Sequence, residues 1–211
     1  MILDVGANLG AYSIPIAKKI ITTGGKVIAF EPQRIVYYQL CGNIILNRLD
    51  NYFAFNQAVG DSDGFIEIPD INYEDNHNIG AFSVSKEFRE RIGMEKYMKV
   101  GSNKVQIIKL DDLTVEKPPA LVKIDVEGYE LNVLKGGANF FEQNKFPPIL
   151  FECWNYDWFS QHKTDLFEYV KKLGYEVFSI NENHIAQHPE NAVHVDFISS
   201  ASEGIKMIRT R

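Results

Sequence analysis

The chain is short of cysteine and of positive charge. Cys41 and Cys153 are its only cysteines. They form no close pair and fit neither a disulfide framework nor a zinc ligand set, so they are expected to be reduced, half-buried thiols in a cytosol-like compartment. Lys and Arg number 22 against 28 Asp and Glu, a net charge of -6. That balance supplies no field for a run of phosphates, and no local basic patch compensates, so no nucleic-acid partner is expected. No apolar run approaches the ~18 residues of a transmembrane helix. Asp4 comes too early for a signal peptide, so a soluble, cytoplasmic chain with no membrane partner is expected. Repeats, low-complexity tracts and Gly/Ser linkers are also missing.

What is there is globular: 45% hydrophobic and 24% charged residues in a chain of 211. The length is about one and a half times an ordinary domain, which favours one domain over residues 1–211 with an insertion over two separate cores. Short apolar runs alternate with longer amphipathic ones. Met1 to Val5 reads as a strand, Gly6 to Gly10 as a turn, and Tyr12 to Ile21 as a helix ended by Gly24-Gly25. Val27 to Phe30 is a second strand, followed by a helix to about Asn47 in which Val36, Leu40 and Ile44 recur every four residues. Tyr52 to Val59 reads as a third strand. After Asp61-Ser62-Asp63-Gly64 the pattern changes: Phe65 to Ile68 and Val105 to Leu110 read as strands of a β excursion, about 61–110, enclosing a polar stretch. The rhythm resumes with a strand from Ala120 to Val126, a turn at Gly128 and a helix from about Tyr129 to Gln143. A strand from Ile149 to Cys153, a helix from about Thr164 to Leu173, and strands at Tyr175 to Ile180 and Ala192 to Ser199 complete the chain. This order predicts an α/β fold: a doubly wound, mostly parallel seven-stranded sheet with an antiparallel strand near one edge and a β excursion after the third strand. Ligands of such sheets bind at the carboxyl ends of the strands, where strand order reverses.

The turn Asp4-Val5-Gly6-Ala7-Asn8-Leu9-Gly10 stands at the place where such folds seat a nucleotide. A dinucleotide loop needs glycine where its backbone approaches a pyrophosphate, yet the second position after Gly6 is Asn8. The loop has no Lys or Arg, and no G-x-x-x-x-G-K-[ST] is present. A nucleoside ligand without phosphate remains, and S-adenosylmethionine fits: its amino group suits Asp4, its carboxylate suits free helix amides, and its ribose hydroxyls need an acceptor. Glu31, at the end of the second strand just before Pro32, is the expected ribose partner. The plainer alternative is that Glu31 merely complements a helix amino terminus.

On these and further motifs the chain resembles the FkbM family of methyltransferases, within the class I, Rossmann-like S-adenosylmethionine-dependent fold. The resemblance rests on the opening loop with Tyr12-Ser13 after it, on Phe30-Glu31-Pro32, on Ala58-Val59-Gly60-Asp61 with Gly64, and on Leu110-Asp111-Asp112-Leu113. Its most specific part is Lys123-Ile124-Asp125-Val126-Glu127-Gly128-Tyr129-Glu130 followed by Val133-Leu134-Lys135-Gly136-Gly137-Ala138. It implies that the cofactor is held by Asp4, Gly6, Ala7, Asn8, Gly10, Tyr12, Ser13, Glu31, Pro32 and Asp125, with Gln57, Ala58 and Val59 along the adenine. It implies also that the excursion, with Asn78-Ile79-Gly80-Ala81-Phe82-Ser83, forms the acceptor side. Family members carry residues ahead of the first strand that help cover the cofactor; here Met1 lies within that strand, which leaves an open pocket or a shortened chain as alternatives.

Methyl transfer from a sulfonium is an in-line displacement, governed by positioning and by removal of the acceptor's proton. Asp125 is the first candidate base, and strand alternation puts Lys123 on its face to hold the acceptor oxygen or keep Asp125 ionised. Alternatively Asp125 binds only the methionine amino group and Lys123 is its structural partner. Glu130 is expected to complement a helix amino terminus, whereas the turn at Gly128 can aim Glu127 into the cleft. Glu152, Trp154 and Ser83 join Glu127 as candidate substrate-binding residues, since aromatic faces and carboxylates suit sugars; core packing is the alternative for the aromatic run Trp154, Tyr156, Trp158 and Phe159. Asp125, Glu127 and Glu152 could hold magnesium, but nothing in their spacing requires it, and no metal is expected. His77 and His194 are secondary candidates for the base. The resemblance implies O-methylation of a small-molecule or glycan acceptor, best a sugar, and the absence of a [DN]-P-P-[YF] motif weakens amino-group methylation of nucleobases. A nicotinamide-dependent oxidoreductase and a non-catalytic nucleoside-binding module are the competing readings.

Overall fold

Runs of β-branched and aromatic residues broken by left-handed glycine turns set the order of elements. The computed structural model describes residues 1–72, 80, 82–200 and 204–209. In chain order these form β1 (Ile2–Val5), α1 (Ser13–Ile20), β2 (Val27–Phe30), α2 (Arg34–Leu46), β3 (Tyr52–Phe55), β4 (Gln57–Val59), β5 (Gly64–Ile71), α3 (Lys86–Arg91) and β6 (Met98–Ile108). There follow β7 (Leu121–Ile124), α4 (Glu130–Lys135), α5 (Ala138–Gln143), β8 (Ile149–Glu152), α6 (Ser160–Lys172), β9 (Glu176–Ile180), β10 (Asn183–Gln187), β11 (Val195–Ser200) and β12 (Gly204–Arg209).

The expected seven-stranded sheet is present, in the order β3-β2-β1-β7-β8-β10-β9. Only β10 runs antiparallel to its neighbours. The order reverses between β1 and β7, where Asp4 faces Lys123 across the ladder. Alternation along β1 sends Ile2 to one face of the sheet and Leu3 and Val5 to the other. On the first face Ala17 and Leu40 pack against Val27 and Ala29. On the second, Val133, Phe140, Phe141, Leu166 and Val170 of α4, α5 and α6 cover Val122, Ile124, Ile149 and Phe151. Each such fully buried side chain stabilises by about 1.5–3 kcal/mol, so both faces are anchored independently.

Several expectations are corrected. Tyr52 to Val59 is not one strand: β3 ends at Phe55, and β4 leaves to pair with β6 in a separate sheet ordered β4-β6-β5. Asn56 is the joint, its side-chain amide donating to the carbonyls of Glu31 and Pro32 at 2.9 and 3.0 Å. The strand beside β8 is Asn183–Gln187, not Ala192 to Ser199, which pairs instead with Gly204–Arg209 in a two-stranded ladder. The helix expected from Tyr129 to Gln143 is two helices, because a Cβ at Gly136 would stand 1.8 Å from the Gly60 carbonyl oxygen and the chain breaks there to admit it. The polar stretch of the excursion contains α3, begun by Ser85, whose Oγ accepts from the Phe88 N–H at 3.4 Å. Cys41 is half-buried, but Cys153 is wholly buried under the second face, and burial pushes its thiol up to about 12. Among the described residues no helix is long and apolar enough to cross a membrane.

Candidate active site

The first loop takes three left-handed residues, Gly6, Asn8 and Gly10. At Gly6 the reason is steric as well: a Cβ there would lie 1.8 Å from the carbonyl oxygen of Asp125, so only glycine lets the β1 and β7 ends approach. The amides of Gly6 and Ala7 both donate to the Phe30 carbonyl at 3.0 Å, drawing the loop onto the end of β2. Glu31 continues the stitch. Its Oε2 accepts from the Asn8 N–H and its Oε1 from the Gln33 N–H, each at 2.9 Å. Glu31 is 4% exposed, and burial, outweighing these two donors, pushes its carboxyl up to about 7.

These strand ends border a cleft that is partly open to solvent. Gly6 and Asn8 line it from the first loop; Glu31, Pro32 and Gln33 from the β2 end; Gln57, Ala58 and Val59 from β4. Asp125, Val126, Glu127 and Tyr129 line it after β7, and Gly80, Phe82 and Val84 from the excursion. The remaining loop candidates stand elsewhere. Asp4 is fully buried behind the loop, Ala7 is buried, and Ser13 is buried with its Oγ 2.6 Å from the Tyr52 hydroxyl. Gly10 is a packing position, where a Cβ would meet Ile14 and Leu40. Tyr12 is half-buried with its ring 5.8 Å from the Lys123 ammonium. These five support the cleft from beneath rather than line it.

Lys123 joins the layers. Its ammonium lies 3.1 Å from Asp4 Oδ1, 3.2 Å from Asp125 Oδ2 and 3.0 Å from the Gly6 carbonyl. Burial alone would lower it, but Asp4 and Asp125 hold the ammonium above its ordinary range, so it stays charged. Glu127 has positive φ, as has Gly128, and this left-handed pair turns the Glu127 carboxyl into the cleft. Burial first, then Asp125 and Glu152, push Glu127 up to about 8, while the Trp154 side chain hydrogen-bonds to it. Glu152, at the end of β8, is pushed up to about 7 by burial and by Asp125. One carboxylate oxygen from each of Asp125, Glu127 and Glu152 lies within 4.8 Å of the others, the same three acids that the sequence offers as magnesium ligands.

Glu130 takes its expected helix-end role, its Oε1 accepting from the amides of Val126 and Gly128 at 3.0 and 3.2 Å. Ser83 and Trp154 are both buried and stand outside the cleft lining. Ser83 Oγ accepts from the Ser85 amide, and Trp154 packs edge-on to Phe88. His194 donates to the His188 carbonyl at 3.1 Å, away from the cleft lining. His77, Asn78, Ile79 and Ala81 lie outside the described residues. Gln33 and Val84 are lining residues that sequence reasoning did not single out, and only their closeness to the chosen motifs hinted at them, whereas Phe82 and Tyr129 belong to quoted motifs without a role of their own.

The Methyltransferase FkbM domain family matches residues 4–177, the greater part of the chain. The chain belongs to the FkbM methyltransferase family. The FkbM methyltransferase of Methylobacillus flagellatus KT shares its fold, with a TM-score of 0.56 at 18% identity over 88% of this chain and 42% of that one. Two relatives are similar in sequence. The methyltransferase sdnD of Sordaria araneosa is 28% identical over 155 residues, 64% of this chain and 59% of its own length. The hexuronic acid methyltransferase AglP of Haloferax volcanii is 31% identical over 146 residues, 68% of this chain and 52% of its own. This FkbM-family chain therefore matches only a little over half the length of either relative.

Proposed function

We propose that the chain is an S-adenosylmethionine-dependent methyltransferase that methylates a hydroxyl oxygen of a sugar or other small molecule. In this reading residues 1–211 act as one catalytic domain, in the cytoplasm, with the excursion of about 61–110 forming the acceptor side. One observation carries it. The cleft is lined by the acids Glu31, Asp125 and Glu127 and, among the described residues, by no Lys or Arg. Such a surface offers carboxyl oxygens to ribose hydroxyls and to an ammonium, and no cation to the pyrophosphate of a nicotinamide dinucleotide. The residues present thus fit S-adenosylmethionine, which when bound supplies an electrophilic methyl group on sulfur.

Glu31 is the proposed ribose acceptor: each of its oxygens has one lone pair engaged by a backbone amide and one left for a hydroxyl hydrogen. Gln57, Ala58 and Val59 form the adenine wall, and Gly6 and Asn8 the amino-acid end. Asp125 is the proposed base. The hydroxyl proton passes to its carboxylate as the oxygen–carbon bond forms and the carbon–sulfur bond breaks, leaving S-adenosylhomocysteine. Lys123, 3.2 Å away, holds the Asp125 carboxylate in place. Glu127 and Glu152 are proposed to accept from the acceptor's other hydroxyls. No metal is assigned to their cluster. The relation to a hexuronic acid methyltransferase favours a sugar acceptor.

Calorimetric titration with S-adenosylhomocysteine and with NAD tests the cofactor. Binding of NAD in place of S-adenosylhomocysteine would install the oxidoreductase reading. Methyl release over a panel of sugars and phenols tests the chemistry, and binding without release from any acceptor would leave a nucleoside-binding module.

A further inference from the structure

Neighbouring side chains of α3 pack against two segments that border the cleft. Phe88 fills the space over Gly128, where a Cβ would lie 2.8 Å from its ring. Arg89 reaches the other wall. Its Nη1 donates to the carbonyls of Ser83 and Val84, both at 2.9 Å, and its guanidinium carbon stands 5.1 Å from the Phe82 ring centroid. The residue is only 5% exposed, Glu95 is 3.9 Å from its Nε, and Glu90 also acts on its charge. Its Nε is buried without a hydrogen-bond partner, so the Nη1 bonds to Ser83 and Val84 offset the cost of burying the cation, and they fall in the segment whose Phe82 and Val84 line the cleft. The segment cannot shift outward without stranding the guanidinium, so the cation's burial fixes the wall.

We propose that Arg89 is a positioning residue that holds Phe82, Ser83 and Val84 in place as a wall of the cleft, so that bound cofactor is retained. The inference rests on the cleft being the S-adenosylmethionine site. Arginine suits the place better than lysine because its planar group covers the Phe82 ring while Nη1 bridges the two carbonyls, and a compact ammonium on those carbonyls leaves the ring without that planar partner.

The test is the dissociation rate of S-adenosylhomocysteine from wild type, Arg89→Met and Arg89→Lys, with hydrogen exchange read over residues 82–85 and over β5 and β6. For Arg89→Met, dissociation is expected to accelerate about tenfold with association within about twofold, since loosening a wall changes retention more than encounter. Exchange should rise at 82–85 and not along β5 and β6, and Arg89→Lys should recover part of both effects. Dissociation unchanged in Arg89→Met, or exchange raised equally throughout the excursion, would overturn the role and leave Arg89 as fold support. Should Arg89→Met fail to fold, a dissociation rate unchanged in Arg89→Lys overturns it instead. Wild type that does not bind S-adenosylhomocysteine removes the cofactor reading and this role together; wild type that binds, with unaffected variants, removes this role alone.

Discussion

Asp4 and Lys123 are partners across the β1–β7 ladder, and their side chains close an ion pair of 3.1 Å in which Asp4 has no exposure at all. The pair sits beneath the first loop, and the same ammonium binds the Gly6 carbonyl and Asp125. Removing the cation strands a buried carboxylate. Lys123→Met is therefore expected to destabilise the fold by about 3–5 kcal/mol, and the double variant Asp4→Asn/Lys123→Met to recover much of that loss. Thermal unfolding of the three proteins checks this; a double variant no better than the single one would show that Asp4 does not depend on Lys123.

Both oxygens of Glu31 accept from backbone amides. Glu31→Gln would turn an NH2 towards one of those N–H groups, two donors face to face, with a penalty of roughly 1–3 kcal/mol. Glu31→Ala removes both bonds without that conflict. Calorimetry should find S-adenosylhomocysteine affinity reduced at least about tenfold in each variant, the loss of a charge-assisted bond, with Glu31→Gln the less stable protein. Unchanged affinity in Glu31→Ala would take Glu31 out of the ribose site.

Asp125→Asn keeps the size of the side chain and removes its capacity to take a proton. Methyl transfer is expected to fall by about 10²-fold or more while S-adenosylhomocysteine affinity stays near wild type. If affinity collapses with turnover, Asp125 is a ligand of the cofactor's ammonium and not the base.

Glu130 is fully buried, and burial, prevailing over the amides it accepts from, pushes its carboxyl from 4.5 up to about 8; Glu127 is raised similarly. Between those two pH values the folded chain binds more protons than the unfolded one. The contribution of these groups to stability is thus complete below about pH 4.5 and declines as pH climbs through about 8. Thermal midpoints should fall from pH 6 to pH 8.5, and Glu130→Gln, which keeps the accepting oxygen, should flatten the slope. A slope unaltered in Glu130→Gln would mean that Glu130 is ionised in the native state.

Local pattern carried the reading a long way. The loop from Asp4 to Gly10, Glu31 before Pro32, the helix-end place of Glu130 and the cleft-facing Glu127 all follow from strand alternation and turn chemistry within a few residues. The misses have a common cause. Asn183–Gln187 carries polar residues at both ends, and its strand character comes from lying between β8 and β9, which bury His184 and Ala186. The break after α4 is imposed by the Gly60 carbonyl, some seventy-five residues earlier in the chain. Neither partner is visible from within the segment it shapes.

By itself the sequence determined the alternating layers, the phosphate-averse first loop and the acids at the strand ends, because these depend on periodicity and on residues next to one another. Tertiary structure alone decided which of those acids meet. Parallel pairing of β7 with β8 gathers Asp125, Glu127 and Glu152 within 4.8 Å, while the β1–β7 ladder draws Asp4 away onto Lys123 and burial withdraws Ser13, Ser83 and Trp154. Alternation fixes only the face a side chain takes. Whether that face meets solvent, ligand or another chain segment is set by what packs against it from far along the sequence.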